Sequence, residues 1–173
     1  IKTADETESI AVSTGMVKNV QIVPAFTGLG APHWDPEARG AILGLTRDTT
    51  KNQIVTATLQ SVVFQTCDLA EAMLNDSIEL SVIRVDGGMA NNNYVLQKLA
   101  DLLNCEVLRP KTTETTALGA AYVAGLQSGV FDNLDRIGAQ WKLDRTFSPT
   151  KNDQWRETQY AGWLEAIERT RVK

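Results

Sequence analysis

The residue types best suited to chemistry in this chain lie in Val85–Asn93, VDGGMANNN. Asp86, Gly87 and Gly88 follow an apolar, β-branched run, Ser81–Val85, and three asparagines, Asn91, Asn92 and Asn93, open a helix-like one. Ligands of open α/β sheets bind at such strand-to-helix turns. Glycines without Cβ let the main chain lie against a flat base or a phosphate, and free N–H groups at a helix start favour an anion. The segment therefore suits a nucleotide or another phosphate-bearing ligand. A tight turn at 86–88 and one asparagine acting as an N-cap would use the same residues.

Other chemistries find less support. There is no G-x-x-x-x-G-K-[ST] and no complete G-x-G-x-x-G, so neither a P-loop nor a Rossmann dinucleotide site is indicated. The single histidine, His33, lies in a proline-flanked loop and there is no G-x-S-x-G elbow, which argues against a hydrolytic triad. Asp35 precedes Pro36 and suits an Asx turn; Arg39 suits a surface or paired group. Thr112, Thr113, Thr115 and Thr116 could touch a phosphate or cap a helix. Trp34, Trp141, Trp155 and Trp163 are scattered, as core or interface residues are. Cys67 and Cys105 form no C-x-x-C pair and have no histidine cluster beside them, so a reduced thiol pair and no metal site is expected.

The elements that must position the 85–93 turn can be read from periodicity. Residues 1–18 are polar and aperiodic, which predicts a connector. Val20–Phe26 and Arg39–Leu45 read as two short strands without an intervening helix, hence an antiparallel pair, joined by the loop TGLGAPHWDP. Thr50-x-x-Gln53 has capping-box spacing, and Val55, Leu59, Val62, Thr66, Leu69 and Met73 form an apolar stripe on the helix that follows. After the strand at 81–85 comes a helix marked by Val95, Leu99 and Leu102 and ended by Asn104 in the left-handed conformation. Glu106–Leu108 gives a further strand, and a helix capped near Thr115 runs to Gly129. Gly119 and Gly125 inside it each cost about 1 kcal/mol relative to alanine, which predicts a second backbone packed against them. A last helix starts near Asp153 and carries Tyr160, Trp163, Leu164 and Ile167 at helical spacing. This alternation predicts an α/β domain with a mixed sheet flanked by helices.

Composition bounds these readings. With 17 Lys+Arg against 21 Asp+Glu in 173 residues, the net charge of -4 and the lack of a basic run argue against nucleic-acid binding. Hydrophobic residues make up 43% of the chain and charged ones 22%, the balance of an ordinary globular domain. No apolar run approaches the roughly 18 residues of a membrane span, and IKTADETESI has no signal-peptide pattern. A cytoplasmic location without membrane contact is expected. The chain opens on Ile1 rather than Met, which fits a cut piece of a longer polypeptide.

These segments together resemble the C-terminal signature of the FGGY carbohydrate kinases: Gly40, Ile42, Gly44 and Leu45, then Gln53, Ile54, Ala57, Thr58, Leu59 and Gln60. RVDGGMANNN and ETTALGAAYVAG add two further matches, and within the family PAFTGLGAPHWDPEARG is similar to the branch that phosphorylates glycerol. The resemblance covers most of Val20 to Gly125.

The resemblance implies an actin-like, ribonuclease-H-like ATPase domain, one of two that close around a nucleotide. The implied activity is that of a transferase, moving the ATP γ-phosphoryl group to glycerol and releasing glycerol 3-phosphate and ADP. It implies a nucleotide-binding domain at 19–148, preceded by the connector at 1–18 and followed by a C-terminal helical segment at 149–173. Carried over residue by residue, the loop positions bordering the adenine nucleotide are Gly88 and Asn92, with Gly87 and Asn93 as neighbours. The catalytic base, the glycerol contacts and the carboxylate that helps place Mg2+ have no counterpart here, so the isolated chain is expected to be inactive. A homo-oligomer is implied for the full-length protein. Another sugar or polyol kinase of the same family, or a noncatalytic actin-like interaction domain, would fit the same motifs less closely.

Overall fold

The structure is a computed structural model that describes residues 1–172. Its centre is α2 (Lys51–Asn75), 25 residues long, which begins with the expected capping box. The Thr50 hydroxyl accepts the Gln53 N–H at 3.2 Å, and the Gln53 side chain accepts the Thr50 N–H at 2.8 Å. This satisfies two donors that a helix start otherwise leaves free.

One side of α2 faces β1 (Gln21–Val23), which pairs antiparallel with β2 (Ala41–Leu43) in the register Ile22 to Ile42. The other side carries α1 (Glu6–Thr14) and α3 (Asn93–Leu103). The stretch expected as a connector thus holds a helix, anchored by the fully buried Ala11. Polar residues at 1–18 obscured it because Ala11 is its one fully buried side chain.

A second, three-stranded sheet has the order β3-β4-β5. β3 (Val82–Arg84) and β4 (Glu106–Pro110) are parallel, linked through α3, and β5 (Leu143–Phe147) is antiparallel to β4. The sheet is mixed, as expected, but β1 and β2 stand apart from it. α4 (Thr115–Gln127) and α5 (Leu134–Gly138) lie between β4 and β5, and α6 (Asp153–Thr170) closes the described chain.

Two apolar clusters flank α2. Leu59 and Val63 join Val95, Leu96, Leu99, Val107 and Phe147 in one; Phe64 joins Val23, Ala25, Leu29, Trp163 and Ile167 in the other. The stripe on α2 is rotated from the expected one. Thr56, Gln60 and Asp68 are buried, whereas Leu69 is half exposed. Gln60 and Asp68 go inside because they find partners there: Gln60 accepts the Val17 N–H and donates to its carbonyl, and Asp68 accepts from three side chains, whereas the buried Thr56 hydroxyl has no hydrogen-bond partner among the described residues. The glycines of α4 also depart from expectation. No atom lies within 4 Å of a Cβ built at Gly119, and Gly125 meets the Phe131 ring rather than a backbone. No described helix is long and apolar enough to cross a membrane.

Candidate functional site

β3 ends at Arg84, and the chain reverses at Gly87, whose φ of +79° disfavours any residue with a Cβ. The reversal is held from the β4 side: Val85 N–H donates to the Leu108 carbonyl at 3.0 Å and Gly87 N–H to that of Thr113 at 2.8 Å. Asp86 accepts a short hydrogen bond from the Thr115 hydroxyl at the start of α4. A single 3-10 turn, Gly88–Asn91, then leads into α3. Asn92 caps that helix through its side-chain oxygen, which accepts the Val95 N–H at 3.2 Å.

The turn does not stand alone, because α1 forms a wall opposite it. The Asn92 amide donates to the Thr7 hydroxyl at 3.3 Å. Asn93 donates its backbone N–H and its side-chain amide to the two oxygens of Glu8, at 2.9 and 2.8 Å. Between the walls is a cleft of about 560 Å³, lined by Ala4, Asp5, Thr7, Glu8, Leu59, Gly88, Met89, Asn91 and Asn92.

The structure brings Gly88 and Asn92 together in this cleft. Gly87 is the pivot that presents Gly88 rather than a lining residue. Asn93 points away: its oxygen accepts from Arg109 at 3.1 Å and from Arg145 at 3.4 Å while its nitrogen holds Glu8. The α1 side of the cleft went unread in the sequence. Asp5, Glu6 and Glu8 ahead of IAVST were its signal, since acidic residues gather in a helix's first turn.

Among the described residues the cleft's charged lining side chains are Asp5 and Glu8, with no lysine or arginine. Carboxylates and amides beside Leu59 and Met89 suit a neutral, hydrogen-bonding, partly flat ligand group better than a phosphate. No atom lies within 4 Å of where a Gly88 Cβ would stand, so a planar group can rest on the main chain there. A cleft of similar size around Cys67, Leu102 and Tyr160 has no such turn.

The remaining candidates have structural partners. Asp35 Oδ1 accepts the N–H groups of Glu37 and Ala38 at 3.0 Å, an Asx turn as expected. Arg39 bonds the Pro36 and Ala38 carbonyls of its own loop, and His33 is bonded to Asp68. Cys67 and Cys105 are both buried and unpaired, and burial pushes both thiols above their ordinary range.

Comparison with known proteins finds relatives of this chain. Residues 1–128 match the model of the FGGY family of carbohydrate kinases, C-terminal domain. The chain is 55% identical to the glycerol kinase of Ectopseudomonas mendocina over 172 residues, 99% of this chain and 35% of that protein. It is 51% identical to that of Haloferax volcanii over 171 residues, 98% of this chain and 33% of that one. It thus spans about a third of the length of the curated relatives it matches. Among solved structures, glycerol kinase from Plasmodium falciparum with ADP superposes with a TM-score of 0.86 at 35% identity, over 100% of this chain and 35% of that one. Ligand-bound xylulose kinase from Lactobacillus acidophilus gives 0.74 at 25% identity, over 96% and 34%.

Proposed function

This chain belongs to the FGGY family of carbohydrate kinases, as their C-terminal domain, and from that premise we propose that it is the nucleotide-side part of an enzyme that phosphorylates glycerol. The fold is the actin-like, ribonuclease-H-like one of that family. The observation that carries the proposal is the placing of Gly88 and Asn92 side by side in one cleft, opposite the first turn of α1.

The cleft receives the nucleoside of ATP or ADP. Gly88 offers bare main chain to the base, Leu59 and Met89 supply apolar contact, and Asn92 presents an amide already oriented by Thr7 and Val95. The carboxylates and amides that line it among the described residues fit the nucleoside rather than the phosphates. ATP supplies the γ-phosphoryl group that passes to glycerol, and Mg2+ accompanies the phosphates, held mainly by residues beyond this chain. Phosphoryl transfer depends on positioning and on stabilising the charge of the transferring group. One half of such a site holds the nucleotide without turning it over, so this chain alone has no glycerol kinase activity. Closure against the remainder of the enzyme excludes water and completes the site.

The test is an amide-resolved NMR titration with Mg-ADP, on this chain and on the full-length protein. The expected result is localised shifts at Gly88 and Asn92, with smaller ones at Gly87 and Asn93. Unmoved amides in both proteins up to millimolar ADP overturn the nucleotide assignment. Glycerol phosphorylation at a near-normal rate by this chain alone overturns its reading as half of a site.

A further inference from the structure

Resting on the reading of the cleft as a nucleoside site, we infer that Arg109 is a positioning residue for nucleotide binding: held from behind by Asp144, it sets the 87–93 turn and, through Asn93 and Glu8, the opposite wall of the cleft.

Arg109 lies on β4 outside the cleft, yet its guanidinium reaches the back of the turn. Its Nε and one terminal nitrogen both meet Asp144 Oδ2 at 2.7 Å. The other terminal nitrogen donates to the Ala90 carbonyl at 3.2 Å and to Asn93 Oδ1 at 3.1 Å. The ring of Phe147 lies beneath, with its centroid 5.6 Å away. The Arg109 side chain is 15% exposed and that of Asp144 41%, so the bonds to the turn are the part-buried ones and the Asp144 pair is open to water.

The relay continues through Asn93. With its oxygen taken by arginines, the amide can orient only one way, and its nitrogen then faces Glu8. Glu8 is fixed by two hydrogen bonds from this one residue, and Glu8 lines the cleft. Asp144, Arg109, Asn93 and Glu8 thus form one line of hydrogen bonds from β5 to α1. Without the guanidinium, the Asn93 oxygen keeps only the 3.4 Å contact with Arg145 and the Ala90 carbonyl loses its side-chain donor. The amide is then held less firmly, and Glu8 keeps the Asn93 backbone N–H while its side-chain donor loses its fixed orientation. Lysine cannot replace the fork, because an ammonium is a point donor that cannot face Asp144 and the turn together.

The experiment compares full-length wild type with Arg109→Met and Arg109→Lys by calorimetric titration of Mg-ADP, nucleotide-free thermal unfolding and steady-state kinetics. Arg109→Met is expected to weaken ADP binding about tenfold, with Arg109→Lys in between. The KM for ATP rises more than kcat falls, and the nucleotide-free Tm stays within about 2 °C of wild type. Unchanged ADP affinity in Arg109→Met while wild type binds overturns this inference alone. So does a lowered nucleotide-free Tm with equal losses in both variants, which marks a purely structural residue. Failure of wild type to bind ADP overturns the nucleotide reading and this inference with it.

Discussion

Trp163 donates its indole N–H to Asp68, lying 2.9 Å from each carboxylate oxygen, and both side chains are almost wholly buried. The same carboxylate accepts the Tyr160 hydroxyl at 2.6 Å and meets His33 Nε2 at 3.1 Å. One acid on α2 therefore ties α6 and the loop before β2 to the middle of the domain. Trp163 also stacks on Phe64, with centroids 5.5 Å apart, so apolar and polar contacts fix the same position. Replacing Asp68 by alanine strands the Trp163 N–H and removes the His33 partner, leaving Tyr160 with Glu71 alone, and buried donors without partners are costly. We expect a loss of about 3 kcal/mol or more in urea unfolding at neutral pH, with Trp163→Phe losing less because it keeps the stack. A loss under about 1 kcal/mol for Asp68→Ala would show that water replaces the carboxylate.

The alkaline limb of stability should report the same network. Burial, then the bonds and charges of Asp68 and Glu71, hold the Tyr160 phenol above its ordinary pKa, and burial pushes Tyr94 up to about 12. A phenol raised in the folded state keeps its proton where the unfolded chain has lost it. Its stabilisation is full below the unfolded value near 10 and declines as pH rises above that value. Urea unfolding between pH 9 and 11 is expected to show falling stability, with a flatter decline in Tyr160→Phe from a lower starting point. Parallel declines in both proteins would remove Tyr160 as a cause.

Two glycines separate folding from binding. Gly44 has φ of +79°, and a Cβ there would overlap the Asn19 carbonyl oxygen, so Gly44→Ala is expected to cost about 2 kcal/mol or more. A Cβ at Gly88 meets nothing within 4 Å and fills space only in the cleft. Gly88→Ala should unfold like wild type and bind ADP at least several-fold more weakly. Thermal unfolding with and without ADP measures both quantities. Wild-type affinity in Gly88→Ala would move the base away from this main chain.

The buried thiols give a further check. Burial, with lesser contributions from Asp68, Cys105 and Glu71, raises the Cys67 thiol well above its ordinary range, and burial also raises Cys105. Thiolate is the reactive form, so both should resist a disulfide reagent in the native state and react together on unfolding. Stoichiometric labelling within minutes in native buffer would contradict the burial.

Much of this was legible in the sequence where one local rule acted alone. Thr50 and Gln53 form their capping box, Asn104 ends α3 in the left-handed conformation, and the 85–93 turn joins strand to helix. The losses came where a tertiary partner changes what a residue type means. Gln60 and Asp68 are polar and lie off the apolar stripe that periodicity marks on α2, but the Val17 backbone and the Trp163 indole make burial favourable. β5 has exposed Leu143, Asp144 and Arg145 in an edge strand, so its sequence shows little apolar alternation. The far wall of the cleft was invisible for the same reason: Glu8 and Thr7 gain their roles only when α1 meets Asn92 and Asn93, 85 positions along the chain.

Asp101 shows how the C-terminal segment is fastened, and its carboxylate is expected to contribute to the acid limit of stability. Its Oδ1 accepts the Thr150 N–H at 3.0 Å, the Thr150 hydroxyl at 2.9 Å and the Gln97 amide at 3.0 Å, while Oδ2 pairs with Lys98 at 3.0 Å. Burial raises its pKa, but the Thr150, Lys98 and Gln97 bonds together outweigh it, and the carboxyl sits below its ordinary value of 3.8. A depressed carboxylate contributes stability that is complete above the unfolded pKa and is lost as pH falls through the folded one. The loss therefore belongs below about pH 4. Asp101→Asn is expected to be about 2 kcal/mol less stable at pH 7, since it weakens four charge-assisted bonds, and to lose less on going from pH 5 to pH 2. The readout is the difference between the two proteins across that range, because the other carboxylates titrate in both. If the two acid limbs run parallel, Asp101 is not the group whose protonation releases residues 148–150 from α3.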